Sequence, residues 1–310
     1  MTHEHLIKGM VSIIMVTYNR GHLIKKSIDS LLNQSYRNYE IIIVDNGSTD
    51  DTPSILEEYN IPMYRDKIRI FRLEENRRFA GGGNYGLEQI RGEWFTFLDD
   101  DDLAMPDALQ TMMDIPEKVD PAIDAITCNC IDSSTGKFSG SGLKHDQYLT
   151  FEDVVKTCSG EFWGITKTTL LKDARYNENL LGYEDTFWYK ISKRANRYYL
   201  HQALRIWTTD HGPTITQFVN KKNRKFKAQT YRVLAEENIF WESLAAYQPK
   251  RFRSKCLKGL LYLYMDDDKE GANKFLRKIA SQSKTAKWVG TFSMLIPSRV
   301  LRKIFHHIPL

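Results

Sequence analysis

Across its first hundred residues the chain alternates short β-branched runs with segments of helical periodicity, and that alternation restricts the fold more than any other feature. Val11–Thr17 reads as a strand, Leu23, Ile24, Ile28, Leu31 and Leu32 recur at helical spacing, and Ile41–Val44 reads as a second strand. A helix from Thr52 to Tyr59 follows, with Pro53 suited to its first turn. Further strands are predicted over Ile68–Leu73, Trp94–Leu98 and Ala125–Ile131, with Gly86–Arg91 part of a short helix. Strands that alternate with helices predict an α/β fold with a mostly parallel central sheet covered on both faces. Ligands bind such sheets beyond the carboxyl ends of the strands, so chemistry is expected in the polar residues found there.

From about residue 221 the pattern is helical alone, over 226–247, 251–265 and 272–280, with breaks near Pro249 and at Asp266–Gly271. This predicts a catalytic domain over residues 1–220 and a helical C-terminal region over 221–310. With 42% hydrophobic and 27% charged residues the composition is that of an ordinary globular chain, which excludes disordered and fibrous classes. Met1–Met10 is polar with no apolar core of a secretory signal, and no apolar run approaches the ~20 residues of a membrane-spanning helix, so a cytoplasmic location is expected. The four cysteines form no paired CxxC units, which argues against zinc. Charge is divided unevenly: residues 221–310 carry 20 Lys/Arg against 7 Asp/Glu, and residues 1–220 carry 24 against 32. A basic region behind an acidic half predicts a meeting with an anionic surface.

Phe95–Leu98 runs directly into Asp99, Asp100, Asp101 and Asp102. Four adjacent negative charges repel one another unless a cation neutralises them. In an extended segment Asp99 and Asp101 project to one side, a geometry for a hard divalent ion such as Mg²⁺ or Mn²⁺ and a diphosphate. A solvated acidic loop with Asp102 capping the next helix is the other reading. Asp266–Asp268 is a natural control, because no strand precedes it. A second acidic motif, Gly182-Tyr183-Glu184-Asp185, heads a predicted helix; it supplies either a general base or helix N-terminal acids favoured by the macrodipole. Gly81, Gly83 and Gly86 satisfy GxGxxG, but not in the first strand–helix turn, so a flexible turn that lets backbone approach a ligand is the expectation. Residues 132–150, rich in Ser, Gly and Lys, are read as a loop flanking an acceptor.

Val11–Arg20, Ile42–Asp50, Asn76–Gly86, Phe97–Asp102 and Tyr183–Asp185, in that order, resemble the family 2 glycosyltransferases of the GT-A fold over residues 11–211. The resemblance implies an inverting, single-displacement transfer from a nucleotide-sugar, most often a UDP-sugar, with Mn²⁺ or Mg²⁺. It implies that Thr17, Tyr18 and Asn19 meet the nucleotide, with Tyr18 stacked on the base and Asp45 accepting the base N–H. Arg78, Asn84, Asp99 and Asp100 would also contact the donor. Asp101 and Asp99 would bind the metal, Asp102 would support that site on its acceptor side, and Asp185 would be the general base with Glu184 orienting a substrate. His211 stands where many relatives place a histidine near the diphosphate, with Thr214 and Thr216 beyond it, and Trp163 and Gly164 match the acceptor-side segment. Trp163 is read equally as a sugar platform or a core side chain.

Two features depart from the common pattern. Gly83 replaces the arginine that often precedes the asparagine of the glycine segment, which leaves Arg77 or Arg78 to supply the charge, and Phe79-Ala-Gly-Gly is similar to the rhamnosyltransferase-like subgroup. No arginine precedes His211. The tail over 284–306 interleaves Trp288, Phe292, Val300 and Phe305 with Lys284, Lys287, Arg299 and Arg302. It is read either as an amphipathic anchor on an anionic membrane, which would suit a lipid-linked glycan acceptor, or as helices packed on the protein. A nucleotidyltransferase would need a glycine-rich basic loop near residue 20, which Thr17–Gly21 does not supply; a sugar- or partner-binding module without catalysis is the alternative from another class. No nucleic-acid motif accompanies the basic region.

Overall fold

The computed structural model describes residues 5–209 and 224–280. These divide into two compact units, one within Met1–Glu178 and Lys190–His211, the other within Asn179–Tyr189 and Gly212–Leu310.

In the first unit, β1 (Ile7–Thr17), α1 (Gly21–Leu32), β2 (Tyr39–Asp45), α2 (Thr52–Glu57), β3 (Ile68–Arg72), α3 (Arg78–Glu88) and β4 (Gly92–Phe97) build a parallel sheet in the order β3-β2-β1-β4. The run Ile41-Ile42-Ile43-Val44 is buried on both faces, as parallel strands between helices require. Alternate residues of β1 serve the two sides: Val11, Ile13 and Met15 join Ile24, Ile28 and Leu31 of α1 in one core.

The opposite side of β1 meets α3, and the glycine segment expected to be a flexible turn lies inside this helix. A Cβ at Gly82 would fall 2.6 Å from Val16 Cγ1, and one at Gly86 2.5 Å from Ile14 Cγ2. These glycines let a helix lie close on a β-branched strand; the contact outweighs their poor helix propensity of about 1 kcal/mol each.

The sheet continues through β5 (Leu103–Ala104), β6 (Ala125–Asp132), β7 (Gln147–Leu149), β8 (Phe162–Lys167) and β9 (Arg197–Trp207). Only β6 and β9 pair in parallel here; β4–β8, β6–β8, β5–β9 and β7–β9 are antiparallel. The mostly parallel sheet expected from the sequence is purely parallel from β3 to β4, and the later strands add antiparallel partners beside the parallel β6–β9 pair. Short helices α4 (Ala108–Met113), α5 (Ile115–Lys118) and α6 (Phe151–Lys156) complete the described part of this unit, Ala108, Leu109 and Met112 joining the α1 core.

Helix α7 (Asp185–Ser192) opens on the second acidic motif. The C-terminal helices are α8 (Arg224–Leu234), α9 (Asn238–Tyr247), α10 (Pro249–Met265) and α11 (Lys269–Ala280). The stretch predicted as one helix over 226–247 is broken at Ala235–Glu237, where the Trp241 indole N–H donates to Leu234 O at the end of α8 (2.8 Å). Their core is aromatic, with Trp241 edge-on to Phe252 and Phe275, and Phe275 edge-on to Tyr231. Among the described residues no helix is long and apolar enough to cross a membrane.

Candidate active site

Strands β1 and β2 end side by side, with Thr17 and Asp45 paired in register, and the loops that follow carry the predicted nucleotide contacts. Asp45 is buried. Its Oδ1 accepts the Ser48 N–H (2.9 Å), while Oδ2 is buried with no hydrogen-bond partner. Arg72 Nε stands 3.5 Å from that oxygen, an ion pair without hydrogen-bond geometry. A buried carboxylate oxygen with no donor is costly unless a ligand supplies one. Tyr18, which follows Thr17 in the chain, is 40% exposed, so its ring is open to a ligand. Asn19 has φ of 54° and is committed to the loops: its Oδ1 accepts the Thr49 N–H (2.7 Å) and its own N–H donates to Ser48 Oγ (2.9 Å).

At the end of β4, Leu98 N–H still donates to Ile14 O (3.0 Å), so Asp99 is the first residue past the sheet. The aspartates do not continue in an extended line. The Asp102 N–H turns back to Asp99 O (3.2 Å), and this turn, rather than strand alternation, gathers the carboxylates. Asp99, Asp101 and Asp102 each offer an oxygen, all within 4.8 Å of one another. Three hard oxygen donors at that spacing fit a divalent cation of the Mg²⁺ or Mn²⁺ kind.

Two arginines already lie among these carboxylates. Arg20, from the loop after β1, bonds Asp101 through Nη1 and stands 3.6 Å from Asp100. Arg205 of β9, almost fully buried, places Nη2 2.6 Å from Asp102 Oδ2 and 3.3 Å from Asp99 Oδ2; the short contact to Asp102 is ionic, without hydrogen-bond alignment. Asp102 Oδ1 accepts the Thr208 N–H (2.8 Å). Burial pushes the Asp100 carboxyl up to about 7, against the pull of the Thr17 hydroxyl and Arg20. Burial likewise raises Asp102, opposed by Arg205. The two arginines thus offset the burial of these carboxyls only in part, and a divalent ion would favour their charged forms further. Arg205 was not singled out from the sequence. Its signal is a guanidinium within the apolar stretch Ala203-Leu204-Arg205-Ile206-Trp207, which demands a buried anion.

Asn84 clamps another segment: its Oδ1 accepts the Tyr176 N–H (2.9 Å) and its Nδ2 donates to Tyr176 O (3.0 Å). Arg78, exposed with φ of 60°, opens α3, and Arg77 beside it is paired to Glu178 at 2.7 Å. Trp163 is a core side chain, 5% exposed, with its indole N–H donated to Phe97 O (2.7 Å). Gly164 faces β6 so closely that a Cβ would meet Ile126 O at 1.9 Å. Between the two readings of Trp163, these contacts describe the core one.

Asp185 is the first residue of α7, with Arg251 Nη2 at 2.9 Å from its Oδ2. Glu184 Oε1 accepts the Gly182 N–H (3.3 Å). His211, Thr214, Thr216 and the tail over 284–306 lie outside the described residues.

Residues 12–190 match the family model described as Glycosyl transferase family 2. The GalNAc(5)-diNAcBac-PP-undecaprenol beta-1,3-glucosyltransferase of Campylobacter jejuni is 35% identical over 257 residues, covering 79% of this chain and 79% of that protein. An uncharacterized glycosyltransferase of Rickettsia typhi is 28% identical over 213 residues, covering 65% of this chain and 64% of the other. S. aureus TarS, solved in complex with UDP, superposes with a TM-score of 0.66 at 18% identity, covering 96% of this chain and 91% of that one. The mannosyltransferase PcManGT from Pyrobaculum calidifontis, solved with GDP-Man and Mn²⁺, gives 0.51 at 16% identity over 96% and 88%. The structural likeness speaks for the fold, and the family model, which takes in more than half of the chain and both acidic motifs, speaks for descent: the chain is a GT-A protein and belongs to glycosyltransferase family 2.

Proposed function

We propose that the protein is a metal-dependent, inverting glycosyltransferase that moves a sugar from a nucleotide-diphosphate sugar, a UDP-sugar first among them, to a hydroxyl of a lipid-linked glycan in cell-surface polysaccharide assembly. The observation that carries the donor half of this reading is the buried Oδ2 of Asp45, which lacks a hydrogen-bond donor and asks for one such as a nucleobase N–H beside the exposed ring of Tyr18. The acceptor half is supported by the Campylobacter jejuni relative, whose name specifies an undecaprenol-diphosphate-linked acceptor. The TarS complexes with UDP and UDP-GlcNAc support a UDP-sugar, and PcManGT with GDP-Man keeps the base open to test.

In this reading Thr17, Tyr18, Asn19 and Asp45 seat the nucleoside, while Arg78 and Asn84 line the donor's further side. Asp99 and Asp101, with Asp102 behind them and His211 as a further ligand, would hold Mn²⁺ or Mg²⁺, which supplies charge neutralisation at the diphosphate. Asp100 supports the donor from within the acidic turn. Asp185 takes the proton of the acceptor hydroxyl as its oxygen bonds to the anomeric carbon; Glu184 orients the acceptor. The bond from that carbon to the diphosphate oxygen breaks on the opposite face, its electron pair leaves with the nucleoside diphosphate, and the configuration inverts. Trp163 and Gly164 shape the acceptor side through the strand they build. Residues 1–220 form the catalytic domain and 221–310 the helical region, with the basic tail over 284–306 resting on the anionic cytoplasmic face of the membrane.

Purified protein with Mn²⁺ and a panel of UDP-, dTDP- and GDP-sugars tests the reading, with thermal stabilisation and donor hydrolysis measured together. One donor should stabilise the protein in a metal-dependent way, with the effect lost in Asp45→Ala. Asp185→Asn should bind that donor and fail to turn it over. No response to any donor would refute the reading and favour a sugar- or partner-binding module.

A further inference from the structure

The second acidic motif belongs to the same compact unit as the C-terminal helices, which hold its Tyr183 and Asp185 side chains. Arg251 of α10 donates from Nη2 to Asp185 Oδ2 (2.9 Å), with side-chain exposures of 42% and 43%. Arg251 also hydrogen-bonds the hydroxyl of Tyr189, one turn beyond Asp185 on α7. That hydroxyl stays protonated, since burial and the Asp185 charge push it up to about 12. Four residues along α10, Lys255 donates to the Tyr183 hydroxyl (3.1 Å) and lies 4.5 Å from the centre of the same ring. Phe240 meets that ring edge-on at 5.7 Å. Residues four apart share a helix face, so one face of α10 reaches both ends of the segment Tyr183–Asp185.

We infer that Arg251 is a positioning residue for the general base. This rests on the assignment of Asp185 given above. Asp185 is at the first turn of a helix and nearly half exposed, so without a partner its carboxylate would sample several rotamers. Arg251 ties Oδ2 and leaves Oδ1 to take the acceptor proton, while the bond to Tyr189 gives the guanidinium a second anchor on α7. Among the described residues, the charged and titratable groups that meet Asp185 include Arg251 from α10 and Tyr189 from α7, with Lys255 directed to Tyr183. Through these contacts the appended helices take part in the chemistry, a role no motif in residues 221–310 announces. An exposed ion pair of merely structural value would contribute little and would not touch turnover.

The test measures Mn²⁺-dependent hydrolysis of UDP-glucose and UDP-N-acetylglucosamine, with water as acceptor, by the full chain and four variants. Arg251→Gln should lower kcat roughly tenfold to a hundredfold, the scale of a small misplacement of a reacting group, with donor KM unchanged. Arg251→Lys should restore most of that loss, and it serves as the readout if Arg251→Gln does not fold. Asp185→Asn and the double variant Asp185→Asn/Arg251→Gln should be equally slow, because Arg251 acts only through Asp185. Unchanged kcat in Arg251→Gln, no rescue by Arg251→Lys, or a double variant slower than Asp185→Asn by the full factor of Arg251→Gln would each overturn the inference while leaving Asp185 as the base. An Asp185→Asn variant as fast as the wild type would instead remove the base assignment itself.

Discussion

The chain contains two runs of aspartate, and the structure treats them in opposite ways. Asp266 and Asp268 sit in the turn between α10 and α11, where Arg232 reaches both, at 2.6 Å through Nη2 and 2.5 Å through Nε. Asp268 Oδ1 also accepts the Gly271 N–H (2.7 Å) in the first turn of α11. Partial burial raises the Asp268 carboxyl, but the bonds from Arg232 and Gly271 outweigh it and hold the group below its ordinary value. Asp99–Asp102 follow a strand, and the turn there buries Asp100 and Asp102 while Asp99 stays exposed: the two buried carboxyls are pushed up despite Arg20 and Arg205. The Asp266–Asp268 run is satisfied by its own neighbours, whereas the arginines beside Asp99–Asp102 offset the burial there only in part. The difference lies in what precedes each run, since a strand end delivers its next residues toward the ligand crevice and the helix hairpin delivers them to the arginine of a neighbouring helix.

That contrast breaks most readily at Arg205. Replacing it by leucine leaves Asp102 buried without its cation, and removal of one partner from a buried ion pair costs about 3–5 kcal/mol. Arg205→Leu should therefore show a strongly lowered urea midpoint, and Mn²⁺ should recover part of the loss by supplying the missing charge. A urea midpoint near wild type, or one indifferent to Mn²⁺, would show that the aspartates do not compete for cations. Asp101→Asn probes the same cluster from the anionic side. It removes a charged oxygen while keeping the shape, and transfer should fall by roughly 10²–10³, the scale of one lost electrostatic contact to a developing charge. Mn²⁺-dependent stabilisation should disappear with it, and titration of the variant with Mn²⁺ followed by melting temperature checks this.

Much of this arrangement was legible in the sequence because its signals are local. The runs Val11–Thr17, Ile41–Val44 and Trp94–Leu98 are β-branched or aromatic enough to be strands in any context, and four carboxylates after the third of them pointed to the acidic cluster that the fold gathers. Pro249 marked the start of α10 for an equally local reason. What escaped depends on distant partners. Strand β9 mixes Arg197, His201 and Arg205 with apolar residues, and its register against β6 shifts at Asn129, so no clean alternation survives. Arg205 meets carboxylates more than a hundred residues earlier in the chain. The glycines of α3 read as a loop because their value lies in how near Val16 and Ile14 approach, which propensity does not contain. Asp185 could be suspected from its place at a helix start, but nothing near it in sequence indicates that Arg251 holds it.

The smallest expected effect sharpens the comparison from its other side. Arg232→Ala breaks both ion pairs of the Asp266–Asp268 turn, yet these side chains are 22–31% exposed, so screening limits the loss to about 1 kcal/mol. The cap from Asp268 to Gly271 survives the substitution and keeps the start of α11 in place. Thermal melting should therefore shift slightly, while donor turnover and the stabilisation by Mn²⁺ remain those of the wild type. A gain of Mn²⁺ binding in Arg232→Ala would mean that Arg232 alone had kept a second acidic site from taking a metal. In that event the distinction between the two runs would lie in their arginine partners and not in the strand that precedes one of them.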